Sequence, residues 1–186
     1  LGGYPYETAM PEEIFNFCNS KNITVEVLVN NAGILITGDT LDVENSGANA
    51  ILQLHIITPV LLCQLFGRQM KLQKKGYILN VSSISAVMPF PIISLYGPSK
   101  SFLRNFTRAL RTEVKGYGIN TTCLLPGATE TALYDSHNFN IPLALKLGIK
   151  KKPGKVATAG VNALFSGKAE CIPGMVNKLI VFIIPL

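Results

Sequence analysis

Residues 24–33, TVEVLVNNAG, decide the fold of this chain. The run Val25 to Val29 is rich in β-branched residues and apolar on both faces, which is typical of a strand buried in a parallel sheet. The small and polar residues Asn30 to Gly33 stand where that strand is expected to end. Open α/β sheets bind ligands at the carboxyl ends of their strands, so the stretch also predicts a ligand site, although Asn and Gly equally make ordinary turns.

Strand-like and helix-like segments alternate along the rest of the chain. Ile78 to Val81 and Ile119 to Leu125 have the character of the first strand, and longer stretches between them have helical periodicity. This alternation predicts an α/β fold, a Rossmann-like doubly wound parallel sheet with right-handed crossovers. The other predicted elements are helices at Pro11 to Asn19, at Asp42 to Gln73 with a bend or break at Pro59, at Ser94 to Lys115 and at Val156 to Phe165, and a short strand at Glu170 to Pro173.

Two segments of the second half need a separate account. The region Ala128 to Lys152 is long, and loops of this length are usually lids or binding loops, so we expect a substrate loop here. Its apolar side chains favour an apolar substrate. Met175 to Leu186 is apolar but only twelve residues long, too short to cross a bilayer. It predicts a final helix docked on the body, with peripheral membrane contact by this segment as the alternative.

The composition indicates one packed domain. Of 186 residues, 48% are hydrophobic and 15% charged, which excludes a disordered protein. There is no apolar run of eighteen or more residues and no leader-like pattern near Leu1, so neither a spanning helix nor a signal peptide is expected.

The net charge of +6 does not indicate nucleic-acid binding, because no aromatic residues alternate with the basic clusters. The four cysteines lack metal-ligand or redox spacing, which predicts no metal site and a reduced, cytoplasmic setting.

The residues Tyr96 and Lys100 are the first candidates for chemistry. Four residues apart on a helix, they share one face. A nearby ammonium lowers the pKa of a phenol, which can then exchange a proton with an alcohol or carbonyl oxygen near neutral pH. Such a pair also arises by chance, and a helix-surface pair is the alternative.

Two further strand ends carry hydroxyl groups. Ser83 follows the second strand, where it would project into the crevice or cap the next segment. Pro126-Gly127 close the third strand, with Thr129 and Thr131 just beyond, where their hydroxyls could meet an amide or a phosphate or simply form a turn. In a parallel sheet all these strand ends lie at one edge, so the features are expected to converge.

In this order the motifs resemble those of the short-chain dehydrogenase/reductases, from about Val25 to Gly174. The matching features are the NNAG motif at Asn30-Asn31-Ala32-Gly33, the serine Ser83 thirteen residues before the tyrosine, the YxxxK motif at Tyr96 to Lys100, and the PG-x-x-x-T segment at Pro126, Gly127 and Thr131.

The resemblance implies an oxidoreductase that interconverts an alcohol and a carbonyl with NADP or NAD. Tyr96 would be the general acid and base, Lys100 would lower its pKa and bind the nicotinamide ribose, and Ser83 would hold the substrate oxygen. The family also implies a homo-oligomer. The implied cofactor contacts are Asn30, Asn31, Ala32 and Gly33 on the adenosine side, Tyr96 and Lys100, and Pro126, Gly127, Thr129 and Thr131 beside the nicotinamide and its phosphates.

The sequence departs from the family at two points. His55 stands where the family usually has an asparagine linked to a water relay; it is either a relay residue or a core histidine bonded to a backbone carbonyl. The glycine-rich turn that binds the pyrophosphate is missing, so residues 1–186 are expected to form the C-terminal two-thirds of one domain, with the sheet incomplete at the N-terminal side. The alternatives are an inactive fragment or binding module of this fold, and a same-fold epimerase or dehydratase.

Overall fold

Four parallel strands form one sheet in the computed structural model, which describes residues 9–88, 90–129 and 151–183. The strands lie in the order of the chain: β1 (Val27–Asn30), β2 (Gly76–Val81), β3 (Ile119–Leu124) and β4 (Glu170–Cys171). The predicted α/β fold with a parallel sheet is confirmed. Because all four strands point the same way, their carboxyl ends lie at one edge of the sheet.

Helices cover both faces of the sheet, as the doubly wound arrangement requires. On one face α1 (Ala9–Ser20), α3 (Thr58–Gln73) and α4 (Tyr96–Val114) enclose a core that includes Phe66, Met70 and Ile78. On the other face α5 (Pro153–Phe165) packs through Val156 and Leu164 against Leu79 and Leu124. The remaining described helices are α2 (Asn45–Leu52) and α6 (Met175–Ile183).

The first strand is less enclosed than its sequence predicts. Leu28 and Asn30 are buried, whereas Val27 and Val29 are 38% and 47% exposed. The expectation of burial on both faces is therefore wrong for β1, because the described residues cover only the face that packs against α3.

A π-helical turn interrupts the long helix predicted for Asp42 to Gln73, but the chain stays helical on both sides of that turn. A π-helical turn, Gln53–Ile57, joins α2 to α3, and the Thr58 amide donates to the Gln53 carbonyl instead of to Leu54. Pro59 follows at the start of α3; it has no N–H for the carbonyl of His55, where a regular helix would need one. Proline thus accounts for the changed hydrogen-bond pattern at the place where a bend was predicted.

The combined helical segment Asn45–Gln73 is long and apolar enough to cross a membrane, judged by length and composition alone. No spanning helix was expected from the sequence, because it has no apolar run of eighteen or more residues. In the structure its residues Cys63, Phe66 and Met70 are buried in the domain core. A core helix of a packed domain passes the same length and composition test.

The predicted substrate loop lies mostly outside the described residues, which resume at position 151. At its two ends Thr129 and Lys151 form a parallel bridge, and the Lys151 amide donates to the Ala128 carbonyl at 3.1 Å. The strand end that carries Pro126 and Gly127 is thereby joined to the start of α5.

Candidate functional site

A cavity of about 670 Å³ opens at the carboxyl edge of the sheet. The ends of β1, β2 and β3 and the start of α4 meet around it, which is the convergence expected from the parallel topology. Its size is that of a small-molecule site. The lining residues are Asn31, Ala32, Gly33, Leu54, Val81, Ser82, Ser83, Tyr96, Lys100, Leu124, Pro126, Gly127, Thr129, Pro153, Val156 and Ala157.

Tyr96 and Lys100 lie one turn apart at the start of α4, on the face that enters the protein. Both are buried, and the Lys100 Nζ lies 5.7 Å from the centre of the Tyr96 ring. The ammonium donates to the Val81 carbonyl at 3.1 Å, which holds it at the end of β2. The surface-pair alternative is therefore wrong, since these two side chains line the cavity. Burial lowers the pKa of Lys100 to about 8.

A pH series tests the buried ammonium. The pKa of Lys100 is about 8 in the folded protein against 10.5 for a free lysine. Between these values the unfolded chain holds one more proton, so we expect Lys100 to make the free energy of unfolding rise with pH by up to about 1.4 kcal/mol per unit. Below pH 8 both states are protonated and this contribution is flat.

Urea denaturation at several pH values from 7 to 10 gives the free energy of unfolding of the wild type and of Lys100→Met. Above pH 8 the free energy of unfolding of the wild type should rise relative to that of Lys100→Met. Lys115→Met removes an exposed lysine that follows the same helix and serves as the control. If the wild-type and Lys100→Met curves stay parallel from pH 7 to 10, the buried ammonium does not titrate as described.

Ser83 directs its hydroxyl from the end of β2. Its Oγ accepts a hydrogen bond from the Ser85 amide at 3.1 Å, so it caps the following 3-10 turn, Ile84–Val87, while also lining the cavity. Both alternatives for Ser83 thus hold together. That bond uses the Ser83 oxygen as acceptor, and a hydroxyl also carries one proton that it can donate.

His55 is buried in the π-helical turn and lies behind the cavity. Its Nε2 accepts from the Ile34 amide at 3.1 Å, and its Nδ1 lies 2.8 Å from the Ser99 Oγ. Burial, and secondarily the charge of Lys100, lowers the pKa of His55 to about 3, so the ring is neutral at pH 7. The histidine is buried as one alternative expected, but its backbone partner is an amide N–H instead of a carbonyl.

The four NNAG residues separate into two groups. Asn31, Ala32 and Gly33 line the cavity, whereas Asn30 is buried beneath it. Asn30 donates through Nδ2 to the Asn80 Oδ1 at 2.8 Å. The two asparagines are register partners on β1 and β2, so Asn30 joins the two strands just below the site. A cofactor contact by Asn30 stays a prediction.

The third strand end places Pro126, Gly127 and Thr129 in the cavity wall. The Thr129 hydroxyl donates to the Gly127 carbonyl at 3.0 Å, which closes the turn. A β-carbon on Gly127 would lie 2.5–2.8 Å from the amide group of Asn177 on α6, so glycine is needed for this packing. Thr131 lies outside the described residues.

Sequence reasoning missed the contribution of α5. Pro153, Val156 and Ala157 line the cavity opposite the strand ends. The available signal was their place at the start of a helix that follows the predicted substrate loop, because such helix starts face the carboxyl edge of the sheet. Ser99 and Asn177 were missed too, and each acts through a partner distant in the chain.

Within residues 9–88, 90–129 and 151–183 no group of three or more His, Cys, Asp or Glu side chains could hold a metal ion. The buried thiols Cys63 and Cys123 lie in the core, where burial raises the pKa of each to about 12. The chemistry available in the cavity is therefore that of hydroxyl groups and an ammonium.

Comparison with known proteins gives a family match. A family model described as short chain dehydrogenase matches residues 7–140. Human 17-beta-hydroxysteroid dehydrogenase type 3 is 30% identical over 135 residues, which cover 70% of this chain and 43% of that protein. This chain therefore spans less than half the length of that relative.

Two solved structures share the fold. A short-chain dehydrogenase from Sphingobium yanoikuyae in complex with NADPH aligns with a TM-score of 0.79 at 20% identity, over 93% of this chain and 66% of that one. A 3-ketoacyl-(acyl-carrier-protein) reductase from Brucella melitensis complexed with NADH aligns with a TM-score of 0.80 at 23% identity, over 92% and 75%.

Proposed function

Because this chain belongs to the short-chain dehydrogenase/reductase family, we propose that the protein is an oxidoreductase that interconverts an alcohol and a carbonyl with a nicotinamide cofactor. The observation that carries the proposal is the convergence of Ser83, Tyr96 and Lys100 on one cavity at the carboxyl edge of the sheet. These three come from two elements, so their meeting depends on the fold and not on sequence spacing alone.

The cavity fits the nicotinamide end of NADP or NAD. Asn31, Ala32 and Gly33 bring small side chains to its wall, so a flat ring can approach the backbone. A β-carbon at Gly33 would lie 3.0 Å from the His55 Nε2 and 3.3 Å from the Lys100 Nζ, which shows how close the ammonium comes to this segment. Lys100 would bind the ribose there, and the neighbours that contain NADPH and NADH support either cofactor.

Side chains of this protein would transfer the proton to or from the substrate and would bind the substrate oxygen. When bound, the cofactor supplies or accepts the hydride. In reduction the Tyr96 hydroxyl donates a proton to the carbonyl oxygen, and in oxidation the phenolate takes a proton from the alcohol. The Lys100 ammonium stabilises the phenolate form. The Ser83 hydroxyl donates a hydrogen bond to the same oxygen as its charge develops.

The described cavity wall favours an apolar substrate. Leu54, Val81, Leu124, Pro153 and Val156 contribute aliphatic surface beside the catalytic groups. A substrate with an extended apolar body would bury against these side chains, while its oxygen reaches Tyr96 and Ser83. The name of the human relative, a hydroxysteroid dehydrogenase, is consistent with this class.

The test is a stoichiometric turnover assay with a panel of apolar ketones and alcohols. We expect one molecule of NADPH or NADH to be oxidised for each carbonyl reduced. Product formed without net cofactor turnover would indicate the epimerase or dehydratase alternative. Fluorescence titration measures cofactor binding by the 186-residue chain and by a version extended to the length of its relatives. Binding favours the enzyme, and no binding favours the inactive fragment or binding module.

The homo-oligomer and the peripheral membrane contact remain proposals about partners. Phe102 on α4 is 41% exposed and stacks on Phe106, which supports a self-association surface on that helix. Met175 and Phe182 on α6 are 85% and 86% exposed, which supports contact with a lipid surface. Light scattering tests the homo-oligomer, and co-sedimentation with vesicles tests the membrane contact. A protein that is monomeric and does not sediment with vesicles would contradict both proposals.

A further inference from the structure

His55 has a hydrogen-bond partner on each side of its ring, and both partners belong to the site. On one side the Ile34 amide, directly after the NNAG segment, lies 3.1 Å from Nε2. On the other side the Ser99 Oγ lies 2.8 Å from Nδ1. The Ser99 hydroxyl in turn donates to the Tyr96 carbonyl at 2.8 Å, in the first turn of α4.

The chemistry of these partners determines the protonation of the ring. An amide N–H can only donate, so Nε2 must accept and carry no proton. A neutral imidazole has one N–H, which therefore sits on Nδ1 and donates to the Ser99 Oγ. Ser99 uses its own proton on the Tyr96 carbonyl. The chain of donors runs in one direction, from His55 through Ser99 to Tyr96, and both ring nitrogens are occupied.

This arrangement leaves no route for a proton through the ring. A relay would have to protonate Nε2, and the new N–H would then face the N–H of Ile34. The ring is fully buried, and the groups facing it include Lys100, whose positive charge opposes a second positive charge. The Tyr96 ring packs edge-on against the His55 ring, with 5.5 Å between the two ring centres.

We propose that His55 is a positioning residue, locked as the neutral Nδ1–H tautomer, that holds the Asn31–Ile34 segment against the start of the catalytic helix and does not carry the reaction's proton. The catalytic role of that helix rests on the proposed function, whereas the tautomer and the contact between the two segments do not. His55 lies in the π-helical turn, and from there its ring reaches both Ile34 and Ser99.

The tautomer is tested by NMR of the protein labelled with ¹⁵N-histidine, with His55→Asn assigning the signals against those of His137. We expect one protonated Nδ1 and one unprotonated Nε2, with no change from pH 5 to pH 8. An Nε2–H tautomer, or a ring that gains a second proton in this range, would overturn the proposal. This measurement needs no turnover, so its result is independent of whether the protein is a dehydrogenase.

The positioning role is tested by variants in the full-length enzyme. His55→Leu removes both hydrogen bonds and should raise the cofactor Kd at least about tenfold. His55→Asn and His55→Gln supply an amide donor and acceptor but no titrating proton, and the better of the two should restore at least about a tenth of wild-type kcat/KM. The pH profile of kcat should keep its wild-type shape. A shift of that profile would make His55 a relay residue, and amide variants as defective as His55→Leu would mean that its two hydrogen bonds do not position the segment.

Ser99→Ala supplies the matched partner variant, because it removes only the Nδ1 side of the contact. In a double-mutant cycle with His55→Leu, the two substitutions should be coupled in their effect on the cofactor Kd. Additive effects would contradict the connected chain from His55 to Tyr96.

Discussion

Tyr96→Phe is expected to lower kcat by about 10²- to 10⁴-fold, because the substitution removes the hydroxyl that transfers a proton to the substrate oxygen. The phenyl ring is kept, so the packing of the ring against His55 and Ile51 is preserved. Folding and the cofactor Kd should therefore change little. The measurement is steady-state kinetics in both directions, with a fluorescence titration of the cofactor.

Tyr77→Phe is the matched control for this loss. It removes a tyrosine hydroxyl from β2, where the ring packs against Phe165 and does not line the cavity. Its kcat should stay close to that of the wild type. Turnover by Tyr96→Phe at the wild-type rate would remove Tyr96 from its assigned role, whatever the family match.

Gly118→Ala is expected to lower the free energy of unfolding by about 2–5 kcal/mol, the sum of strain at a left-handed residue and a close backbone contact. Gly118 has a φ of +74° in the turn between α4 and β3. A β-carbon there would collide with the backbone carbonyl of Lys74, which lies in the turn between α3 and β2. Backbone cannot move aside as a flexible side chain can, so both turns would have to shift.

Gly116→Ala provides the control two residues earlier in the same turn. In the part of the chain that the structure describes, no atom beyond its neighbours in the turn lies within 4 Å of a β-carbon added at Gly116. Gly116 also has no positive φ, so its substitution should change stability by no more than about 0.5 kcal/mol. Urea unfolding of both variants measures the difference. Equal stabilities would mean that the two turns do not approach each other as described.

The sequence predicts most elements because hydrophobic periodicity is a local property. The predicted strand Ile119 to Leu125 differs by one residue from β3, and the predicted helix Ser94 to Lys115 encloses α4. The shared face of Tyr96 and Lys100 is equally local, since four residues make about one helical turn. The errors at β1 concern what covers each face, which depends on elements far along the chain.

Contacts across the sheet could not be predicted in the same way. Asn30 belongs to a family motif, yet its side chain donates to its register partner Asn80 and does not line the cavity. The π-helical turn that contains His55 precedes a proline that has no N–H for the His55 carbonyl, and the partners of the His55 ring lie elsewhere in the chain. Likewise the need for glycine at Gly127 comes from Asn177, fifty residues further on.

The sequence alone thus predicted the α/β class, the polar strand ends and the tyrosine–lysine pair, because each depends on neighbours within a turn or a strand. Which of those polar groups line the cavity was decided by three-dimensional packing. Strand register and helix packing bring together side chains that are distant in the chain, and the distances between those side chains are properties of the assembled sheet.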